Sequence, residues 1–543
     1  MFGARHFRHN LLLLLLVAAV IPYFLNLGVS SIWDANEAFY AQTPREMMMA
    51  NDYVTPSFNF QLRMNKPVLS YWEVLASYRV FGVSEWSERL PIAIGGAVLV
   101  ATAFGLGRLM GGTTAGLLAA LVLGTSPRVL LLARRIIIDV HITMFLGLIL
   151  LCFALAETRP ERRRLYLCLM YAAAGFGVLM KGPVAVFIPA VAFIIYLASE
   201  RRLRDIRHMM IPTGAVISLA IAAPWYYFLY RAHGFEYIRW FIVGENLGRY
   251  GEAVGAQSRG MLFYLPVMMA DLFPWTLLLP LALWWAFRER SESRVARLLL
   301  IWIATIVVFF SMSGTKEDLY ILPIVPAVAG LIGAMIATAI DGAPVARPVQ
   351  WFTLAAAVAF LVTGSATFWF FGVTRRYDLD GASFIGIVAA VGSLVALATA
   401  VRRQLFAATS TLAASLVIVS WCIVLCSLPS FERYKPVRPF ADLIRARASV
   451  GAIVGSYKFA LPSMVYYLDR PIMEVVLPDH LRAVFYSSSD IYFVMPEKEY
   501  ESVKERLPVK TFVLARQQMF DLKPINFIEG SELPQFVLVS NRE

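Results

Sequence analysis

Apolar runs separated by short polar links occupy most of the first 430 positions. They lie near 11–29, 91–107, 113–126, 140–156, 165–180, 183–198, 209–230, 261–286, 296–312, 320–340, 350–371, 383–400 and 405–427. A helix needs about 20 apolar residues to cross the hydrocarbon layer, so the pattern predicts a mainly α, polytopic membrane protein with about thirteen transmembrane helices. Two segments depart from it. Residues 31–90 show helical periodicity in "AFYAQTPREMMMA" and "VLSYWEVLASYRVFG", with aromatics suited to lying at headgroup level. From 431 to 543 the alternation shortens. "VGAIVGSY", "PIMEVVL", "DIYFVMP", "VKTFVLAR" and "QFVLVSN" read as strands, and "LPSMVYYL" and "EKEYESVKERL" as helices. The expected division is therefore a transmembrane domain over 1–430, with 31–90 its first external loop, and a small α/β domain over 431–543.

Composition agrees, with 59% hydrophobic and 16% charged residues where soluble domains average about a quarter charged. Orientation follows from the arginines, since basic residues in short loops stay on the cytoplasmic side. With Arg5 and Arg8 inside, alternate links carry Arg108, "RPERRR", "RRLRDIR", "RERSESRVAR", Arg347, and Arg402 with Arg403. The register holds to the C-terminus and puts 31–90 and 431–543 outside, the periplasm if the membrane is a bacterial inner membrane. The first run read instead as a cleaved signal peptide is the alternative. Arginines facing anionic lipid account for the formal net charge of +12 without a nucleic-acid partner. All four cysteines fall in apolar runs, and the six histidines are scattered. No disulfide framework or metal cluster is read, no cofactor is indicated, and dependence on a divalent metal stays open.

The polar residues that interrupt apolar stretches fall at the outer face in this register. Asp34, Glu37, Tyr40 and Arg45 follow the first run, and Asn65 and Lys66 lie in "RMNKPVLSYW". Arg134, Arg135, Asp139 and His141 lie in "ARRIIIDVHITMF", Lys181 in "LMKGPVAV", Glu245 and Arg249 in "GENLGRY", and Lys316 and Tyr320 in "SGTKEDLYILPIVP". Carboxylates and cations from separate loops at one depth suit an anionic lipid headgroup. Lysine and arginine would hold phosphate, and a carboxylate would act as base or orient a nucleophile.

In "NEAFYAQTPREM", "NKPVLSYW", "ARRIIID", "LMKGP", "PWYYFLY" with "GENLGRY", and "KEDLYILPIVP", the chain resembles the GT-C membrane glycosyltransferases that use polyprenyl-phosphate sugars, the branch with lipid A aminoarabinose transferases and protein O-mannosyltransferases. The resemblance covers about the first 330 residues. It implies a GT-C fold, donor phosphate held by Lys66, Arg135 and Lys316 with Tyr320 nearby, and the first-loop acids with Asp139 at the reaction centre. It also implies a C-terminal periplasmic domain. Aminoarabinose-transferase-like members commonly have Asp-Glu where this chain has Asn36-Glu37, and "EKPP" where it has Asn65-Lys66-Pro67-Val68. Asp34 or Glu37 would then take the missing aspartate's role, Asp34 being favoured. The expected partners are a polyprenyl-phosphate sugar, a lipid or envelope-glycan acceptor and membrane lipids.

Plainer roles compete for the same residues. Asp34 could cap a helix, Arg134 and Arg135 could snorkel at the interface, Lys181 could anchor a helix end, and Asp139 could pair with Arg135 at helical spacing. A different class of function, a lipid or solute transporter, would line a path through the membrane with ionisable groups. The span centres are almost free of them, which favours a one-sided pocket.

Overall fold

The computed structural model describes residues 2–63, 65–248, 259–374, 377–520 and 533–543. They form two compact units. One comprises 1–27, 64–73 and 89–427, the other 28–63, 74–88 and 428–543. The stretch 31–90, assigned by sequence to the transmembrane domain, thus gives most of its residues to the unit that contains the C-terminal part.

The first unit is a helix bundle. Among the described residues ten helices are long and apolar enough to cross a membrane, eleven if the pair Met261–Asp271 and Trp275–Glu289, bent by 118°, is one span. The thirteen runs of the sequence reading are present, but two fall short of a full crossing. Val184–Ser199 has 16 residues. The other, from 113 to 124, is the second arm of a hairpin inside the 40-residue stretch Glu85–Gly124, broken at Gly111 and Gly112. Gly112 has φ +74°, open to glycine at little cost. The arms return tightly: a Cβ at Gly107 would stand 2.7 Å from the Ala115 carbonyl oxygen, and one at Gly116 2.8 Å from that of Phe104. Small residues bring helices together where lipid supplies no hydrophobic drive. A Cβ at Gly333 would meet the Ala119 backbone nitrogen at 2.3 Å, and Gly364 faces Gly386 across another such seam.

Loops that the arginine register places on one side do meet. Glu157 pairs with Arg163 at 3.1 Å and with Arg202 at 2.6 Å, while Glu200 pairs with Arg297 and, at 3.7 Å, with Arg294. Both glutamates are largely buried under these bridges.

In the second unit, helices Asn36–Met49 and Leu69–Phe81 appear where periodicity predicted them, the latter running across the division between units. A short hairpin, β1 (Ser57–Phe58) and β2 (Gln61–Leu62), lies between them in sequence. Each strand and helix read in the C-terminal segment is also present. β3 (Ile453–Tyr457), β4 (Met473–Val475), β5 (Ile491–Pro496), β6 (Phe512–Gln518) and β7 (Gln535–Ser540) form one sheet in the order β4-β3-β5-β7-β6. The β3 strand is parallel to β4 and β5, and β7 is antiparallel to β5 and β6. Tyr457, Phe485, Phe493, Met495 and Val539 form its dry core.

Candidate active site

In the first unit the cations read from the sequence are held in defined places. Helix Arg163–Lys181 ends at Gly182 (φ +84°) and Pro183, so Lys181 sits in its last turn. Asp139 sits in the first turn of helix Ile138–Thr158. Each charge has the sign its helix terminus favours, and the two meet: Lys181 Nζ donates to Asp139 Oδ1. The pair is only partly covered, at 20% and 15% exposure. Lys181 Nζ also stands 5.2 Å from the centre of the Tyr320 ring, and that ring packs on Phe310.

Tyr320 belongs to the turn Asp318–Ile324 just after Lys316. Lys316 Nζ donates to the Ser313 carbonyl at 2.7 Å. Two arginines that the sequence reading passed over fix this segment. Arg259 donates to the Lys316 carbonyl at 2.6 Å, and Arg128 bridges Asp318 at 2.7 Å and Asp271 at 3.0 Å. Lys66 and Arg135 are half-buried.

Two sequence expectations change. Arg135 lies in an irregular link ahead of Ile138, so it does not share a helix with Asp139 and the i,i+4 argument fails there; Lys181 is the acid's partner. Arg134 is 5% exposed rather than snorkelling, and donates to the carbonyls of Pro22 and, at 3.1 Å, Asn26, closing the end of the first helix. His141, also buried, pairs through Nδ1 with Glu73 at 3.3 Å and through Nε2 with the Pro91 carbonyl at 3.1 Å. Burial raises the Glu73 carboxyl above its usual range, and His141 opposes that shift. Glu73 was missed because a single acid in the apolar "SYWEV" has no partner in local sequence.

The second unit holds the acids of the first loop. Asp34 Oδ1 accepts from Ser463 N–H at 2.7 Å and Oδ2 from Ser463 Oγ at 2.6 Å. It therefore caps helix Ser463–Leu468, far along the chain, rather than the helix that follows it. Loss of hydration pushes its carboxyl up to about 6, against the Ser463 hydrogen bonds and the Lys435 charge, with Glu37 adding to the rise. The residue nevertheless stays open to solvent on one side. Lys435 Nζ donates to the Ser31 carbonyl at 2.5 Å and lies 4.0 Å from the Trp33 ring centre.

Glu37 is buried at 2% and accepts from Trp33 N–H at 2.8 Å. Tyr40 is buried on the same helix. Arg45 donates to the Tyr466 carbonyl at 2.8 Å and to Asp469 at 2.7 Å, tying the two ends of this unit's sequence together. Glu46, part of the same charged stretch but not among the expected site residues, is 3% exposed and accepts from Gln42, Ser57 Oγ and Phe60 N–H. The Glu245 side chain and all of Arg249 lie outside the described residues. Among the described residues, no group of three or more His, Cys, Asp or Glu could hold a metal ion.

Residues 65–228 match the family model described as dolichyl-phosphate-mannose-protein mannosyltransferase. The undecaprenyl phosphate-alpha-4-amino-4-deoxy-L-arabinose arabinosyl transferase of Pseudomonas paraeruginosa is 30% identical over 326 residues, 59% of this chain and 58% of its own length. An uncharacterised protein of Aquifex aeolicus is 31% identical over 58% of this chain and 62% of its own length. The match thus spans less than two thirds of either relative. ArnT from Cupriavidus metallidurans, solved with bound undecaprenyl phosphate, aligns over 97% of both chains with a TM-score of 0.78 at 22% identity. The chain has the fold of that protein, the GT-C architecture that the sequence resemblance implied.

Proposed function

We propose that the chain is a glycosyltransferase that moves a sugar from a polyprenyl-phosphate donor to a lipid or envelope-glycan acceptor at the periplasmic face of a bacterial inner membrane. The observation that carries this reading is Lys181, held between Asp139 and the Tyr320 ring at converging helix ends, in a fold whose Cupriavidus example was solved with undecaprenyl phosphate bound. An ammonium already fixed by an acid and a ring face can add a phosphate oxygen without being ordered anew. Lys316, with its backbone pinned by Arg259, offers a second cation. Lys66 and Arg135 complete the proposed phosphate contacts.

The acceptor oxygen attacks the anomeric carbon as the carbon–oxygen bond to phosphate breaks, and the electron pair leaves with the polyprenyl phosphate. Its charge is what the lysines and arginines stabilise. A single displacement inverts the anomeric centre. Where the acceptor is a hydroxyl, its proton passes to a carboxylate, and Asp34 suits this better than Glu37: it is open on one side, and its pKa near 6 makes it a competent base at neutral pH. Asp139 orients Lys181 and tempers its charge.

Acceptor class is tested by mass spectrometry of envelope lipids, glycans and proteins from strains with and without the gene. A sugar missing from a lipid or glycan supports the proposal. One missing only from proteins transfers it to the protein-acceptor reading that the family model's description favours. Orientation is tested with reporters fused after Glu543, expected active only in the periplasm, and within "RPERRRL", expected active only in the cytoplasm.

A further inference from the structure

Three separate links of the first unit meet around a cavity of about 580 Å³. The start of the first helix contributes Arg8. The first turn of helix Ala346–Phe368, directly after the link from Ile340, contributes Arg347. The connection between Ala382–Val401 and Leu405–Cys422 contributes Arg403. Each belongs to a link that the arginine register assigns to the inside. Elsewhere on such links Arg163 and Arg202 pair with Glu157, and Arg294 and Arg297 with Glu200. Arg8, Arg347 and Arg403 make no ion pair among the described residues. The lining thus includes three arginines and no carboxylate, Asp341 standing between Ile340 and Gly342 on the same link without lining the cavity.

Its walls are mixed. Ile340, Leu405 and Phe406 line it together with the guanidinium groups and Gln350. The Arg8 guanidinium lies 5.4 Å from the centre of the Phe406 ring, and Gln350 donates to the Ala400 carbonyl at 2.8 Å, fastening one wall. The backbone adds a second observation. The 341–345 link turns through Gly342 at φ +90°, the usual choice for that conformation, whereas the 402–404 link places Arg403 itself at φ +63°. A non-glycine residue is uncommon there, and Arg403 shares this conformation with Arg201 on another link.

We infer that this cavity is a binding site for an anionic phospholipid of the cytoplasmic leaflet, its phosphodiester held by Arg8, Arg347 and Arg403 and its glycerol and upper acyl carbons resting on the apolar wall. Guanidinium groups match phosphate oxygens in charge and fork geometry. A volume of about 580 Å³ falls within the roughly 300–1,000 Å³ of small-molecule sites, and the apolar wall gives a free phosphate nothing to occupy it with. The inference does not depend on the proposed glycosyl transfer.

The test uses the full chain purified in a neutral detergent. Cardiolipin is titrated, with phosphatidylethanolamine as the zwitterionic control and inorganic pyrophosphate as a headgroup without chains. Binding is read by native mass spectrometry and by the melting temperature. Cardiolipin should bind and raise the melting temperature, phosphatidylethanolamine should not, and R347Q with R403Q should weaken cardiolipin about tenfold or more, the loss expected for a charge-assisted contact. R402Q, on the neighbouring exposed residue outside the cavity, should bind as the parent does. A double variant that binds cardiolipin like the parent overturns the site, and pyrophosphate stabilising as strongly as cardiolipin overturns the lipid assignment. Should the double variant not fold, the parent chain decides: binding that is unchanged between low and high salt overturns the three-arginine site, and binding that weakens steeply supports it.

Discussion

Replacing Lys181 by methionine keeps the stem of the side chain and removes its charge, which separates binding from packing. Two interactions are lost within the protein. One is the charged hydrogen bond to Asp139, and the other is the approach to the Tyr320 ring. A charge-assisted hydrogen bond contributes about 1.5–3 kcal/mol, and a cation over a ring at a partly exposed site about 0.5–1 kcal/mol. Since the ion pair is 20% and 15% exposed, solvent screening brings the bond towards the low end of that range. A stability loss of about 2 kcal/mol is expected, shared between the bond, the ring and an unpartnered Asp139. Donor affinity has a separate term: loss of one phosphate contact should weaken undecaprenyl phosphate tenfold or more. Asp139→Asn makes the contrast, because it removes the same internal bond and leaves the ammonium free. It should cost comparable stability, bind undecaprenyl phosphate at least as tightly as the parent, and turn over more slowly. The assay is equilibrium binding of undecaprenyl phosphate to the detergent-solubilised variants, well below their melting temperatures, with melting followed in parallel. If Lys181→Met melts lower but binds with parental affinity, Lys181 is only a helix anchor and the proposed phosphate site is wrong.

Asp34 predicts a pH profile. A base must be ionised to act, so transfer should rise with pH through about 6 and level off above it, and Asp34→Asn should remove the inflection. The folded chain holds this proton more tightly than the unfolded chain, so the contribution to stability is present below about pH 4 and is lost as pH rises through about 6; melting of Asp34→Asn should lack that slope. Glu46→Gln puts an amide nitrogen among the three donors that now meet a carboxylate, and should lower stability by about 1–3 kcal/mol, read by thermal melting; parental melting would show that the network is dispensable. Gly333→Ala sets a Cβ against the Ala119 backbone and should cost about 1–3 kcal/mol as the helices part, also read by melting, while the same change at exposed Gly451, where a Cβ would meet nothing within 4 Å, should leave melting unchanged.

The parts legible in the sequence are those whose signal is local. Helix Asn36–Met49, the five strands of the C-terminal sheet and the apolar runs each follow from a period that a short window contains. Lys181, Asp139 and Tyr320 were legible as polar breaks at helix ends, and the structure brings these three together. What was not legible depends on partners far away in the chain. Asp34 caps a helix 429 positions later, Arg45 reaches Asp469, and Glu73 finds His141. Arg128 and Arg259 have no local partner to mark them, and only the fold shows them clamping the Lys316 segment. The i,i+4 pairing of Arg135 with Asp139 failed because spacing alone cannot tell that the helix begins at Ile138. The division at residue 431 missed that the early loop is built into the same unit as the tail.

The hairpin broken at Gly111 and Gly112 bears on how the chain is made. At 1.5 Å per residue its second arm, from 113 to 124, is about 18 Å long, short of the hydrocarbon thickness of about 30 Å. Such an arm is too brief to be retained by lipid on its own during synthesis. Its glycine and alanine face fits the arm before it, so insertion of the two arms together is the expected route. Lengthening the turn by a flexible insert would then expose the second arm singly, and the error would propagate, since every later link would emerge on the opposite side of the membrane.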